Sequence, residues 1–286
     1  MIKVNSIPVE VKKFPDGTPK INLDIDRIVA YEDECDGVSY VGVDWFYESD
    51  DELFILMLVK KHLESHMIGV SYYLNMPYIP NARMDRVVND DEVFTLKYFC
   101  DFINWLNFDI VYTLDAHSNV STALLNNCKN ESPKSYIDKV IADNFLEDIS
   151  LNNFVLFFPD EGCVKRLSKL FPMYNWISSQ KRRGWKTGNI LGLDVITNGI
   201  DLTEKTILMV DDIISYGGTF NWSAERLKEL GAGKIYAFAT HTENSILDKE
   251  KGTLLKALES GIVEKVFTTN SIFTKEHDKI KVYELD

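Results

Sequence analysis

The segment ILMVDDIISYGGTF, Ile207 to Phe220, sets two carboxylates, Asp211 and Asp212, after an apolar run, with a glycine turn, Gly217-Gly218-Thr219, just beyond. Successive backbone N–H groups in such a turn, leading into a helix, form a nest for an anion. Carboxylates beside a nest repel a phosphate, so they suit sugar hydroxyls or a bridging cation. The plain alternative is a helix-capping turn with solvated acids. FFPDEGCVKR, Phe157 to Arg166, repeats the theme: an apolar run ends on Pro159-Asp160, Gly162 follows, and Lys165 and Arg166 come next. It reads as a second phosphate turn with Asp160 as a Mg²⁺ contact. LDAHSN places His117 after another apolar run. There it is a candidate metal or phosphate contact, although alone it is most simply a structural histidine. Two basic stretches complete the set: PYIPNARMDR, with Arg83 and Arg86 on a proline-braced loop, and SSQKRRGWKTGN, with Lys181, Arg182 and Arg183 on a glycine-flanked loop. HLESH sets His62 and His66 one helical turn apart, but it is not His-Glu-x-x-His and no third ligand is evident.

These residues need strand ends to hold them. Apolar runs such as VGVDWFY, MIGVSYYL, FDIVYTLD, FVLFF, KTILMV and KIYAFAT read as strands, and YNWISS and ILGLDVI as two more. Between them DDELFILMLVKKHLESH, NDDEVFTLKYFCDFINWLN, SYIDKVIADNFLED, GCVKRLSKLF, TFNWSAERLKELGAG and LLKALESGI read as helices. Strands alternating with helices indicate right-handed βαβ units and a mostly parallel sheet. In such sheets ligands bind beyond the carboxyl ends of the strands. A polar stretch near NNCKNESPKS breaks the pattern, so we expect two α/β halves, residues 1–132 and 133–286.

The chain has 286 residues, 45% hydrophobic and 26% charged, enough for a full core or two. Its formal net charge of -13 argues against general nucleic-acid or acidic-membrane binding, which need a positive field. A small anion in a local basic pocket remains compatible. Cys35, Cys100, Cys128 and Cys163 lack paired spacing, so neither a zinc site nor a disulfide framework is indicated. No signal-peptide core or membrane-length apolar run is seen, and the expectation is a cytoplasmic protein.

The motifs resemble those of one family. VDDIISYGGT resembles the signature of type I phosphoribosyltransferases and of the ribose-phosphate pyrophosphokinases, the phosphoribosyl diphosphate (PRPP) synthetases. FPDGT resembles the synthetases' Phe-Ser-Asp-Gly-Glu turn, PYIPNARMDR their Pro-Tyr-x-x-Tyr-Ala-Arg-Gln-Asp-Arg, and LDAHSN their Asp-Leu-His-Ala. FPDEGCVKR resembles Ser-Pro-Asp-x-Gly-Gly-x-x-Arg, and QKRR resembles Asp-Lys-Arg-Arg. The motifs come in family order over most of the chain. The resemblance implies two similar type I phosphoribosyltransferase-like halves, each with a mostly parallel central sheet flanked by helices. It implies that the N-terminal half contributes to ATP binding and the C-terminal half holds ribose and diphosphate. The implied reaction is attack by a ribose anomeric hydroxyl on the β-phosphorus of ATP, with Mg²⁺, releasing AMP. It rests on positioning and charge neutralisation.

Carried over by position, Lys181 and Arg183 stabilise the transferring diphosphate, and His117 and Asp160 contact Mg²⁺ and phosphates. Arg83 holds ATP phosphates, with Met84 beside it. Phe14 stacks on adenine and Asp16 reads its edge, both from a neighbouring subunit, which implies a homodimer or homohexamer. Asp211 and Asp212 hold the ribose 2- and 3-hydroxyls directly or through a cation, and Ser215, Tyr216, Gly217, Gly218 and Thr219 surround the 5-phosphate.

Departures bear on specificity. Thr18 and Met84 replace a Glu and a Gln, which loosens adenine recognition. VVNDDE stands where the family has a basic run of its regulatory anion site, and the lid after KRR is shorter, so the usual regulation by phosphate or ADP is expected to be lost or changed. Ser215 and Tyr216 replace an Asp and a Thr in the 5-phosphate turn. One reading is drift in a loop that binds through its backbone. The other is an acceptor extended beyond the 5-phosphate, with Tyr216 stacking on a nucleobase. ADP-ribose fits this reading and gives ADP-ribose 1-diphosphate; some virus-encoded relatives act on it in rebuilding NAD. The rivals are a PRPP-using phosphoribosyltransferase and a non-catalytic, synthetase-associated subunit.

Overall fold

A computed structural model describes residues 1–32, 39–183 and 190–285, with the backbone alone at 32, 181–183 and 190–192. The chain divides into two compact units, Met1–Ser132 and Pro133–Asp286. Both are built on mostly parallel sheets flanked by helices.

In the first unit the strands are β1 (Ile2–Val4), β2 (Ile7–Pro8), β3 (Glu10–Lys13), β4 (Pro19–Asn22), β5 (Tyr31–Glu32), β6 (Ser39–Trp45), β7 (Ser71–Asn75), β8 (Ile110–Leu114) and β9 (Cys128–Glu131). The helices are α1 (Asp51–His66), α2 (Thr95–Trp105) and α3 (Asn119–Leu124). The main sheet runs β2-β1-β6-β7-β8-β9, with β5 also on β6. β6 to β9 are parallel, and β1, β2 and β5 are antiparallel additions. One core joins Val41, Val43 and Trp45 of β6 to Leu56, Val59 and Leu63 of α1 and to Leu96, Phe99 and Ile103 of α2. The α1 residues recur at helical spacing, with Asp51 and Glu52 in the first turn and His66 in the last, as the helix dipole favours. β3 and β4 form a separate hairpin closed at Phe14–Thr18.

In the second unit the strands are β10 (Phe154–Phe158), β11 (Trp176–Arg183), β12 (Ile190–Ile196), β13 (Thr206–Ile214), β14 (Ile235–Thr242), β15 (Lys265–Thr269) and β16 (Ile280–Tyr283). The helices are α4 (Lys134–Asn144), α5 (Leu146–Ser150), α6 (Glu161–Leu167), α7 (Gly218–Glu229) and α8 (Thr253–Ser260). The sheet order is β12-β11-β10-β13-β14-β15-β16, parallel except for β12. Its central strands are apolar on both faces because both are covered. Ile207 and Met209 of β13 join Phe220, Leu227, Leu254 and Leu258 of α7 and α8 in one core. Leu208 and Val210 join Ile137, Ile141, Cys163 and Leu167 of α4 and α6 in the other.

Two expectations change. β13 does not stop before the acids: Asp211 pairs with Ala239 and Ile213 with His241, so the carboxylates lie inside the strand. Lys181, Arg182 and Arg183 are not on a loop but close β11, where they pair with Leu193, Gly192 and Ile190 of β12. Their side chains, and the stretch 184–189, lie outside the described residues.

Candidate active site

The carboxyl ends of β10, β11 and β13 lie side by side at one end of the second sheet. They carry Asp160, Lys181 to Arg183, Asp211, Asp212 and the turn 215–219. Asp160 caps α6: its Oδ1 accepts from the Cys163 N–H at 2.9 Å. The Cys163 thiol donates to the Val210 carbonyl at 2.9 Å, which fastens α6 to β13 one residue before Asp211. Burial pushes that thiol well above its ordinary range, so it serves the packing and is not a nucleophile.

With α6 fixed, Arg166 reaches back over the strand end. Its Nη2 donates to Asp212 Oδ1 at 3.0 Å and lies 3.4 Å from Asp211 Oδ1. Adjacent strand residues ordinarily point to opposite faces, so one nitrogen serving both carboxylates is a local departure at the end of β13. Asp211 and Asp212 are only 15% and 6% exposed, and Arg166 is 25% exposed. Burial holds the Asp211 carboxyl well above the usual carboxylate range, Asp212 and then Asp160 add to the shift, and Arg166 opposes it.

The turn beyond is braced from behind. The Tyr216 carbonyl accepts from Thr253 N at 2.9 Å, Thr253 Oγ1 at 2.9 Å and Leu254 N at 3.2 Å, the start of α8. Gly217 sits at φ +82°, and a Cβ there would stand 2.2 Å from Leu254 Cβ. Only glycine allows this approach. Gly218 and Thr219 then open α7, whose first N–H groups have no intrahelical partner. Ser215 is half-buried, while Tyr216 leaves 39% of its surface exposed. A buried carboxylate pair beside a nest at a helix start can accept from two hydroxyls and donate to one anion.

In the first unit, the loops after the adjacent strands β7 and β8 carry Arg83 with Met84, and His117. All three thus belong to one sheet end, with Arg83 and His117 exposed. Phe14, 51% exposed, and Asp16 lie apart on the β3–β4 hairpin. Asp16 Oδ1 accepts from Thr18 N at 3.0 Å and Thr18 Oγ1 at 2.7 Å, which lowers its pKa and orients it within its own turn. His62 and His66 stay outside the site: the His66 Nδ1 meets the His62 carbonyl at 2.9 Å and Ser65 Oγ at 2.8 Å.

Among the described residues no group of three or more His, Cys, Asp and Glu is gathered to hold a metal ion by itself. Carboxylates such as Asp160 and Asp211 are the donor type that suits Mg²⁺, which keeps waters and commonly takes one or two carboxylates plus substrate oxygens. Arg166, which the sequence placed in the second phosphate turn without a role of its own, is the residue whose carboxylate partners the sequence did not give. Its signal is spacing: three positions after buried Cys163, it lies on the same helix face.

The comparisons with known proteins point one way. Residues 193–285 match the family model described as a phosphoribosyl synthetase-associated domain. The ribose-phosphate pyrophosphokinase of Thermococcus kodakarensis is 30% identical over 238 residues, covering 82% of this chain and 78% of that one. The ribose-phosphate pyrophosphokinase of Pyrococcus abyssi is 30% identical over 240 residues, covering 83% and 77%. In fold, the chain is similar to phosphoribosylpyrophosphate synthetase from Mycobacterium smegmatis, with a TM-score of 0.72 at 18% identity over 97% of this chain and 86% of that one. The chain belongs to the ribose-phosphate pyrophosphokinase family, transferases of the diphosphokinase type.

Proposed function

We propose that the protein transfers the β,γ-diphosphate of ATP to the anomeric hydroxyl of a ribose 5-phosphate moiety, releasing AMP. The observation that carries the reading is the Asp211–Asp212 pair on Arg166 beside the glycine turn. Each carboxylate has about four acceptor positions on two oxygens, so engaging Oδ1 with Arg166 leaves capacity for the 2- and 3-hydroxyls. Ser215 to Thr219 hold the 5-phosphate, chiefly through backbone N–H groups. Bound sugar and phosphate together fix the anomeric oxygen, which is the proximity part of the rate. Lys181 and Arg183 neutralise the transferring diphosphate. Arg83 and Met84 hold ATP with His117, Phe14 stacks on adenine, and Asp16, oriented by Thr18, reads its edge. Asp160 and Asp211 in the second unit, and His117 in the first, would each offer a contact to Mg²⁺, which would supply charge neutralisation when bound. We place this chemistry in the cytoplasm and in a homo-oligomer, a dimer or hexamer.

For the acceptor we favour ADP-ribose over ribose 5-phosphate, giving ADP-ribose 1-diphosphate for NAD rebuilding. The exposed ring of Tyr216 on an anchored backbone supports it, because a nucleobase beyond the 5-phosphate gains a stacking surface. The second reading is a non-catalytic, synthetase-associated chain, which Thr18 and Met84 in the adenine-binding positions and the acidic VVNDDE stretch favour. One experiment decides: purified protein, ATP and Mg²⁺ with either acceptor, measuring AMP and diphosphorylated product. Absence of AMP with both acceptors refutes the enzyme reading, and turnover of ribose 5-phosphate alone refutes the ADP-ribose preference.

A further inference from the structure

The segment before α8 is fixed against the 5-phosphate turn, because the donors to the Tyr216 carbonyl are the first residues of that helix. It is also closed on itself. The Asp248 carboxylate accepts from the backbone N–H of Glu250 at 2.9 Å and of Lys251 at 2.8 Å, and Gly252 N donates to the Asp248 carbonyl at 2.8 Å. Lys256 Nζ donates to the Glu250 carbonyl at 2.9 Å. A Cβ at Gly252 would lie 2.4 Å from the Asp248 oxygen and 2.7 Å from that of Ile246, so glycine is required for the turn to close.

The consequence is the placement of Lys251. Its side chain is exposed, and its Nζ lies 6.0 Å from the centre of the Tyr216 ring. A lone exposed lysine over a tyrosine contributes little to stability. Here, however, two separately braced elements deliver a cation and an aromatic face to the outer edge of one anion-binding turn. A ribose 5-monophosphate ends at that turn and uses neither. An acceptor whose 5-phosphate continues into a second phosphate brings a further negative charge to this edge, where an ammonium is the matching group.

We propose that Lys251 and Tyr216 form an extension subsite selecting ribose acceptors with a 5-diphosphate ester, Lys251 contacting the second phosphate and Tyr216 the group beyond it. This rests on the pyrophosphokinase reading and assigns to it a specificity-determining residue, Lys251, that no motif marks. The reaction is unchanged: the anomeric oxygen bonds to the β-phosphorus, the bond to AMP breaks, and the hydroxyl proton is released.

The test uses the full chain with ATP, Mg²⁺ and three acceptors: ribose 5-phosphate, ribose 5-diphosphate and ADP-ribose. In Lys251→Gln the kcat/KM ratio of either diphosphate-bearing acceptor to ribose 5-phosphate falls about tenfold, the loss of one charged hydrogen bond. In Tyr216→Thr the ratio of ADP-ribose to ribose 5-diphosphate falls instead. Equal losses on all three acceptors, or none, overturn the subsite. Wild-type protein that makes AMP with ribose 5-phosphate but with neither diphosphate acceptor also overturns it, and leaves the pyrophosphokinase reading standing. Failure to form AMP with any of the three acceptors removes that reading itself.

Discussion

Replacing Arg166 by methionine tests the site at its least expected point. Methionine keeps most of the side-chain stem but removes the nitrogen that lies 3.0 Å from Asp212 Oδ1 and 3.4 Å from Asp211 Oδ1. Breaking a fully buried charge pair costs about 3–5 kcal/mol, because the remaining charge is left uncompensated. Arg166 keeps 25% of its side chain exposed, so water recovers part of that cost. The expected destabilisation is about 2 kcal/mol, at the low end because of this exposure. For a unit of the size of residues 133–286 this lowers the melting temperature by about 4–8 °C.

The same contact predicts a cycle. Burial, Asp212 and Asp160 already raise the Asp211 pKa, with Arg166 opposing them, so an ionised Asp211 without Arg166 is the costly species. Arg166→Met with Asp211→Asn should therefore recover at least half of the lost stability at neutral pH, a coupling of about 1 kcal/mol or more. Turnover should not recover, since the amide keeps one accepting oxygen but loses the second and the negative charge of the carboxylate. Arg166→Lys should hold most of the stability, because a single nitrogen bridges both acids. Thermal melts of wild type, Arg166→Met, Asp211→Asn, the double variant and Arg166→Lys, with kcat/KM for ribose 5-phosphate, measure all of this. If Arg166→Met melts with the wild type, or if the two changes simply add, the bridge does not hold the acids in the folded protein.

Three further outcomes follow from other contacts. Gly217→Ala meets a left-handed φ of +82° and the Leu254 Cβ at 2.2 Å, so about 2–4 kcal/mol of stability should be lost, with a higher KM for ribose 5-phosphate; an unchanged KM would show that the turn does not hold the 5-phosphate. Lys60 is 1% exposed, bonded to Glu64 at 2.6 Å and 4.2 Å from the centre of the Tyr72 ring. Burial raises the Glu64 pKa, but the bonds to Lys60 and Lys61 outweigh it and leave a net lowering. The pair's contribution is thus full above the unfolded pKa near 4.5 and is lost as pH falls through the lower folded value. Glu64→Gln should cost about 1–2 kcal/mol at pH 7 and nothing below that window, as urea melts at two pH values would show. Glu92 closes the acidic turn after Arg86 by accepting from Val88 N at 2.8 Å and Asn89 Nδ2 at 2.7 Å, so turnover should stay flat across a phosphate titration; steep activation or inhibition would show that an anion site survives there.

The parallel architecture was legible because β10 and β13 are apolar on both faces, a pattern that only a covered sheet requires. The strand ends were not. Hydropathy stops at Val210 since Asp211 and Asp212 face the Arg166 guanidinium, not core, yet the backbone keeps pairing to Ile214. Lys181 to Arg183 read as a loop for the same reason: their composition is polar while their backbone continues the ladder with β12. The short edge strand Cys128–Glu131 has no apolar alternation to find. Arg166 was visible as a charge, but its target depends on Cys163 fastening α6 to Val210, a contact between distant parts of the chain.

Tyr216 shows why a departure inside a motif can carry more information than the motif. The turn needs a carbonyl at position 216 for α8 and a glycine at 217 for Leu254, and the structure meets both with the backbone. Neither requirement constrains the side chain at 216, which leaves toward solvent. A position whose backbone is fixed three times over and whose side chain is structurally unconstrained is open to selection by the ligand. An aromatic residue there, exposed and met by a lysine from a second braced turn, offers a flat face on which a ring can stack. That is the physical basis for the proposal that residue 216 bears on the choice of acceptor.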